Sequence, residues 1–237
     1  MFNHTESFSM NSILAFYYSS IGKKILMSLT GLFLITFLVE HLVGNLLLFA
    51  LDGGKMYEAY GEFLVSNPVI RFIEIFLFLG MIGHAILGVI LWIKNRMTRP
   101  IKYKFFGLKD NSPLASRTTI WTGSIIGIFL YIHLKSFFIP SRFATVKVSN
   151  YALVMQAFSN PWYDMFYLVA LLVLGYHLRH GFQSAFQTLG LRNKAYAPFL
   201  DLLAFIFWFL IPLGYAVIPV YFFFYQQAVS NVIMGVH

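Results

Sequence analysis

No cysteine occurs anywhere in the 237 residues. That excludes a disulfide framework, thiolate-bound zinc, cysteine-held iron–sulfur clusters and the C-x-x-C-H attachment of c-type haem. Any redox metal in this chain must therefore be held by histidine. Charge is scarce too: 11% of residues are charged against 59% hydrophobic, with 27 Phe and 14 Tyr. A soluble domain carries about 25% charged residues, so this is the composition of a membrane protein. The net charge of +8 does not point to nucleic acid, because the basic residues are segregated by loop and are not interleaved with aromatics. The partner that composition implies is membrane lipid.

What is present is a series of long apolar runs. They predict an all-α integral membrane protein, a single membrane domain over 1–237 with five spans at about 25–51, 69–93, 118–140, 162–186 and 198–224. Residues 1–20 read as an interfacial segment with Ile13, Leu14, Phe16, Tyr17 and Tyr18. The first apolar run is about twice an h-region in length and follows Lys23-Lys24, which predicts a retained span and not a cleaved signal. Short loops hold Tyr57, Glu58, Tyr60 and Glu62, and a longer one of about twenty residues follows the third span. Pro212 and Pro219 are expected to bend the fifth span, which has no histidine and should pack outside the other four.

The basic residues orient the chain. Lys94, Arg96, Arg99, Lys102, Lys104, Lys109 and Arg117 crowd one loop, and Lys23, Lys24, Arg179, Arg192 and Lys194 fall on the same side. Only Lys55, Arg71, Lys135, Arg142 and Lys147 fall on the other. The positive-inside rule then places the N-terminus in the cytoplasm.

A repeat lies in the spacings. Ser66-Asn67-Pro68 recurs as Ser159-Asn160-Pro161, and each Asn-Pro reads as an N-cap followed by the first helical residue. Pro68 to His84 and Pro161 to His177 are both sixteen residues; His41 to Pro68 is twenty-seven and His133 to Pro161 twenty-eight. The first four spans therefore read as two copies of one hairpin. At 1.5 Å per residue, His84 and His177 lie about 24 Å below their helix starts, toward the cytoplasmic side. His41 and His133 lie nearer the outside, so each depth receives one histidine from each hairpin.

Two imidazoles at one depth, from different helices, are what a bis-histidine haem requires. Four histidines split between two depths do not supply a tetrahedral zinc site. Small residues near them would admit a ring: Gly44 after His41, Gly80 and Gly88 around His84, Gly181 after His177. On the fourth span, His177, His180, Ser184 and Gln187 form one polar stripe. His180 competes with His177 as ligand, and the repeat spacing selects His177.

At this point the chain resembles a known family: the single-polypeptide, five-helix, dihaem cytochrome b anchor of succinate:quinone oxidoreductases and quinol:fumarate reductases. The most specific stretches are Ser20-Ile21-Gly22-Lys23-Lys24, His41-Leu42-Val43-Gly44-Asn45, Lys94-Asn95-Arg96 with Arg99-Pro100, and His177 through Gln187. The resemblance covers essentially the whole chain. It implies a four-helix haem-binding bundle with His41 and His133 as axial ligands of a distal haem b, and His84 and His177 as ligands of a proximal one. It further implies a flavoprotein and an iron–sulfur subunit docked on the cytoplasmic face, in a bacterial cytoplasmic membrane and compatible with a higher oligomer. Electrons from succinate would pass through both haems to a membrane quinone, with menaquinone expected, or in reverse from quinol to fumarate. The chain itself would then be a subunit of the enzyme that binds no dicarboxylate.

Candidate partners for haem propionates are Lys24, Ser28, Arg179, His180 and Ser184. Family members place an acid near the outer start of the second span, which falls on Glu58 or Glu62; Glu74 joins them for quinone protonation because it lies about ten residues before His84. Glu40 adjoins His41 but points about 100° away from it. Some fumarate reductases carry an acid two residues before the fourth ligand. This chain has Gly175 there, which favours succinate oxidation. The competing readings are a dihaem anchor of another quinone-linked dehydrogenase and a haem-free transporter whose histidines relay protons.

Overall fold

The computed structural model describes residues 15–97, 114–146 and 148–234, with side chains for all of these except 114–117 and 228–234. The basic loop between Arg99 and Lys109, Lys147 and the segment through Leu14 lie outside the described residues, as do the tail histidines His4 and His237.

Among the described residues every regular element is helical, and five helices are long and apolar enough to cross a membrane. The first is α1 (Ser20–Leu46), extended by a 3-10 turn to Phe49. Ser19 caps it, its hydroxyl accepting from the Gly22 amide at 2.9 Å. A side chain at Gly22 would run into the Phe16 carbonyl, so the Ser-Ser-Ile-Gly stretch is a helix-start device. The chain turns at Gly53 and Gly54, both at positive φ (71° and 86°), where a side chain would be strained. The Asp52 carboxylate accepts from the amides of Gly54 and Met56 and so caps the next helix.

That helix, α2 (Lys55–Ser66), replaces the loop expected from sequence. α3 (Pro68–Met97) is the second span, with the Asn67 side chain accepting from the Val69 amide at 3.0 Å. α4 (Leu114–His133) leads into a π-helical turn, Leu134–Phe138, and the short α5 (Ile139–Phe143). α6 (Asn150–Ala157) lies in what the sequence suggested was loop. α7 (Pro161–Thr188) is capped by Asn160, which accepts from the Trp162 amide at 2.9 Å. The fifth span is α8 (Ala197–Phe205), a π-helical turn Ile206–Leu210, and α9 (Ile211–Met234).

Both π turns end two residues before a proline, Pro140 and Pro212. A proline has no amide to give and its ring crowds the carbonyl four residues back; the widened turn relieves that crowding. Pro219 sits inside α9 without such a turn.

α1 packs against α3 and α7, α7 packs against α4, and α3 meets α4 to close a ring of four helices. α9 lies outside it against α7 and α1. The buried core lies where α7 meets α9 and the helices beside it. One cluster holds Leu48, Val154, Phe158, Tyr167, Ile218 and Phe222; the other holds Ile35, Leu178, Phe182 and Ala204. Asp164, buried in the first turn of α7, has neither carboxylate oxygen hydrogen-bonded, and the positive end of its own helix is its compensating charge. α3, by contrast, has no buried residue at all along thirty residues. One of its sides faces the exterior and the other a large internal cavity.

Candidate functional site

The ring of four helices encloses a continuous cavity of about 2570 Å³. Ordinary small-molecule pockets reach about 1,000 Å³, and protein interiors are close-packed. A cavity of this size leaves room between the helices for a bulky group. His41, His84, His133, His177 and His180 all lie on its wall.

The histidines meet in two pairs at two depths. At the end of the bundle that carries Glu58, Glu62 and Glu74, His41 of α1 and His133 of α4 face each other with ring centroids 5.8 Å apart and planes at 86°. Toward the end that carries Lys24, Arg96 and Arg192, His84 of α3 and His177 of α7 stand 6.4 Å apart at 72°. We call these the acidic-end and basic-end layers. Imidazole nitrogen binds a first-row metal at about 2.0–2.1 Å; with roughly 1 Å more from nitrogen to ring centre on each side, two rings on one metal have centroids about 6 Å apart. Both layers have that spacing.

Among the described residues no group of three or more His, Asp or Glu side chains converges on one point. Each layer thus offers two imidazoles, and a metal held between them would take its remaining ligands from another group, as iron in a porphyrin does. The wall around the rings is apolar and aromatic. Phe37 stacks on His41 at 5.2 Å and Phe129 lies beside His133 at 5.7 Å.

Three of the four rings are held at the nitrogen Nδ1. The Thr30 hydroxyl lies 3.2 Å from Nδ1 of His84, and the Thr122 hydroxyl 3.1 Å from Nδ1 of His177. Nδ1 of His133 lies 3.1 Å from the Tyr167 hydroxyl, which meets the Tyr163 hydroxyl at 3.2 Å. Sequence reasoning passed over all of these partners, although a signal existed. Thr30-Gly31, Phe37 and His41 recur as Thr122-Gly123, Phe129 and His133 with identical spacing, so the repeat extends eleven residues upstream of the first histidine of each hairpin.

The other candidates divide. Lys24, Ser28, His180 and Ser184 line the basic end of the cavity, joined there by Asn95, Arg96, Gln187 and Arg192. The Ser28 hydroxyl already donates to the Lys24 carbonyl at 2.9 Å. Arg179 lies over the Trp208 ring at 5.3 Å and not on the cavity wall, because its position on α7 faces the fifth span. At the acidic end, Glu58 and Glu62 are not on the wall either. Glu58 accepts from the Ser149 hydroxyl at 2.6 Å and the Tyr151 amide at 2.8 Å, which ties α2 to the start of α6. Glu74 is on the wall and is paired with Arg71. Glu40, despite its rotation from His41, also reaches the wall, where it accepts a hydrogen bond from Tyr60. Burial, then that bond and the Glu40 charge, push the Tyr60 hydroxyl up to about 12; burial, then Glu58, push Tyr57 up to about 12.

The glycines divide as well. Gly88 and Gly181 line the cavity, but Gly80 packs against the Phe33 ring, 3.1 Å from where its Cβ would stand. At Gly175 a Cβ would lie 2.6 Å from the Trp208 carbonyl oxygen. That carbonyl is the one whose helical partner Pro212 cannot supply. The position that carries an acid in some relatives of the resembled family is closed here by a helix crossing.

Fold and site together define an all-α, five-span membrane protein with two facing histidine pairs stacked in one internal cavity. The chain is similar to the succinate dehydrogenase cytochrome b558 subunit of Bacillus subtilis (strain 168), with 28% identity over 182 residues, covering 72% of this chain and 82% of that protein. No family model matches the chain, and no solved structure matches it significantly.

Proposed function

We propose that this chain is the membrane anchor and electron-transfer subunit of a succinate:quinone oxidoreductase in a bacterial cytoplasmic membrane. The observation that carries the reading is the pair of histidine layers, each at metal-bridging distance, at two depths of one cavity. The similarity to a succinate dehydrogenase cytochrome b subunit supports it.

His41 and His133 would hold one haem b and His84 and His177 the other. A haem held by two imidazoles supplies a one-electron iron couple whose potential is set by its ligands, its burial and nearby hydrogen bonds. The work of the chain is to orient the four rings, keep water from them with the Phe37 and Phe129 walls, and connect the two membrane faces. Lys24, His180 and Ser184, with Arg96 and Arg192, supply donors to acidic groups at the basic end. That end would face the cytoplasm and dock the flavoprotein and iron–sulfur subunits. At the other end the Tyr60–Glu40 pair and Glu74 offer proton-carrying groups on the cavity wall to a membrane quinone, expected to be menaquinone. The closed position at Gly175 leaves no acid there, which favours succinate oxidation over fumarate reduction.

Purification of the chain from its native membrane with its bound partners tests this reading. The expected result is co-purifying flavin and iron–sulfur signals with succinate-driven quinone reduction, abolished by His84→Ala. A haem-bearing preparation with another dehydrogenase attached and no succinate activity would assign the anchor to a different enzyme.

A further inference from the structure

We propose that Thr30 and Thr122 are positioning residues that dictate which nitrogen His84 and His177 present to the cavity, and thereby lower the potential of the basic-end centre. The part of this that concerns potential rests on the haem reading above; the part that concerns the rings does not.

The argument is a count of protons. A threonine hydroxyl has one proton to give. The Thr30 hydroxyl is bonded within its own helix to the Leu26 carbonyl at 2.8 Å and the Met27 carbonyl at 3.1 Å. The Thr122 hydroxyl is bonded to the Thr119 carbonyl at 3.0 Å. Carbonyl oxygens only accept, so each hydroxyl proton is committed to the backbone. What each hydroxyl has left is lone pairs, and it faces Nδ1 of His84 or His177 at 3.2 and 3.1 Å. In that arrangement Nδ1 is the protonated nitrogen of both rings, with the Met27 backbone carbonyl a second acceptor beside His84, and Nε2 carries the free lone pair. That is the tautomer that can bind a metal through Nε2.

A glycine follows each threonine; the ring lies tight against Gly31 and at ordinary contact distance from Gly123. A Cβ at Gly31 would stand 3.1 Å from Cε1 of His84, and one at Gly123 would stand 3.8 Å from Cε1 of His177. Thr-Gly thus holds one ring nitrogen while letting the ring edge lie close to the helix backbone. The device occurs twice, in two hairpins, with the same register to the next histidine. The acidic-end layer differs, since the partner of His133 there is a phenol. A hydrogen bond accepted from Nδ1–H raises the basicity of a ligating imidazole. It therefore favours the oxidised metal and lowers the potential.

Thr30→Val and Thr122→Val keep the branched shape and remove the hydroxyl; Thr→Ser at each site restores it. In the haem-loaded protein, redox titration and low-spin electron paramagnetic resonance of each variant are compared at equal haem content. The expected result is an upward shift of one centre in each Val variant, larger in the double variant, with the other centre unmoved and Ser close to wild type. Loss of that one centre in Val but not in Ser supports the inference equally. Unchanged potentials and signals in the double Val variant would overturn it. Should the wild-type chain bind no haem, the functional reading fails, and ¹⁵N spectra of histidine-labelled haem-free protein decide the ring question alone. Two Nδ1-protonated rings that become mixed in the Val variants support it. The same tautomer mixture in wild type and variants overturns it.

Discussion

The hydroxyl of Tyr167 lies 3.1 Å from Nδ1 of His133, across the α4–α7 contact and beneath the outer aromatic cluster. Tyr167 is buried, and the Tyr163 hydroxyl leans on it in turn. Tyr167→Phe should therefore strip a partner from both His133 and Tyr163. Leaving buried polar groups unpaired costs about 1–3 kcal/mol, so the variant should unfold at lower temperature. The acidic-end centre should shift in a redox titration while the basic-end centre stays put. Equal shifts of both centres would mean that the layers are not separate.

Gly175→Ala should be among the most damaging small substitutions in the chain. The obstacle is the Trp208 backbone oxygen, 2.6 Å from the new Cβ, and backbone does not rotate away. Overpacking of this kind costs about 1–3 kcal/mol, and Gly175→Asp should be worse because a carboxylate would face a carbonyl. Gly83→Ala is the control: nothing lies within 4 Å of its Cβ position, and helix propensity favours alanine by up to about 1 kcal/mol. Thermal unfolding in detergent compares them, and similar losses at both sites would contradict the crossing geometry.

The long-range order of this chain is legible in its sequence because periodicity and spacing survive folding. The five apolar runs, the Asn-Pro helix starts and the sixteen residues from each proline to its histidine all reappear as structure. Shorter features were hidden. α2 and α6 are helices of twelve and eight residues between spans, too short and too mixed in composition to stand out from loop. Glu58 read as a candidate quinone-site acid, because its actual partners, Ser149 and the Tyr151 amide, are about ninety residues away. Arg179 shares a helix with His177 but turns to Trp208, which depends on where the fifth span docks. The Thr-Gly seat was visible as a repeat, yet a threonine in an apolar helix reads as packing until a ring nitrogen is seen against it.

The three acids near the acidic end should separate by role. Glu58→Ala removes acceptors from the start of α6, and losing a helix cap costs about 0.5–2 kcal/mol. It should lower stability while quinone turnover per folded molecule stays at wild type. Glu62→Gln should leave turnover unchanged as well, since Glu62 is off the cavity wall. Glu74→Gln, on the wall, should slow turnover at unchanged haem content. Full activity in Glu74→Gln would remove that acid from the mechanism.

Tyr60 should make stability depend on alkaline pH. Its hydroxyl is raised from 10.0 to about 12 by burial and by Glu40, so the folded chain keeps a proton that the unfolded chain releases near pH 10. The contribution is full below pH 10 and is lost as pH rises through about 12. Unfolding temperature should fall across that window less steeply in Tyr60→Phe than in wild type, and Glu40→Gln should move the window down. Parallel curves for wild type and Tyr60→Phe would show that other groups govern it.

The central claim is that the two histidine layers are two haem sites, and the most direct test is to count haem in the purified chain. Pyridine haemochrome with a reduced-minus-oxidised spectrum should give two haems b per polypeptide. The pair His41→Ala and His133→Ala should remove one, and the pair His84→Ala and His177→Ala the other. Carefully prepared protein with no haem, or a single haem lost from either pair alike, would contradict the two-layer account.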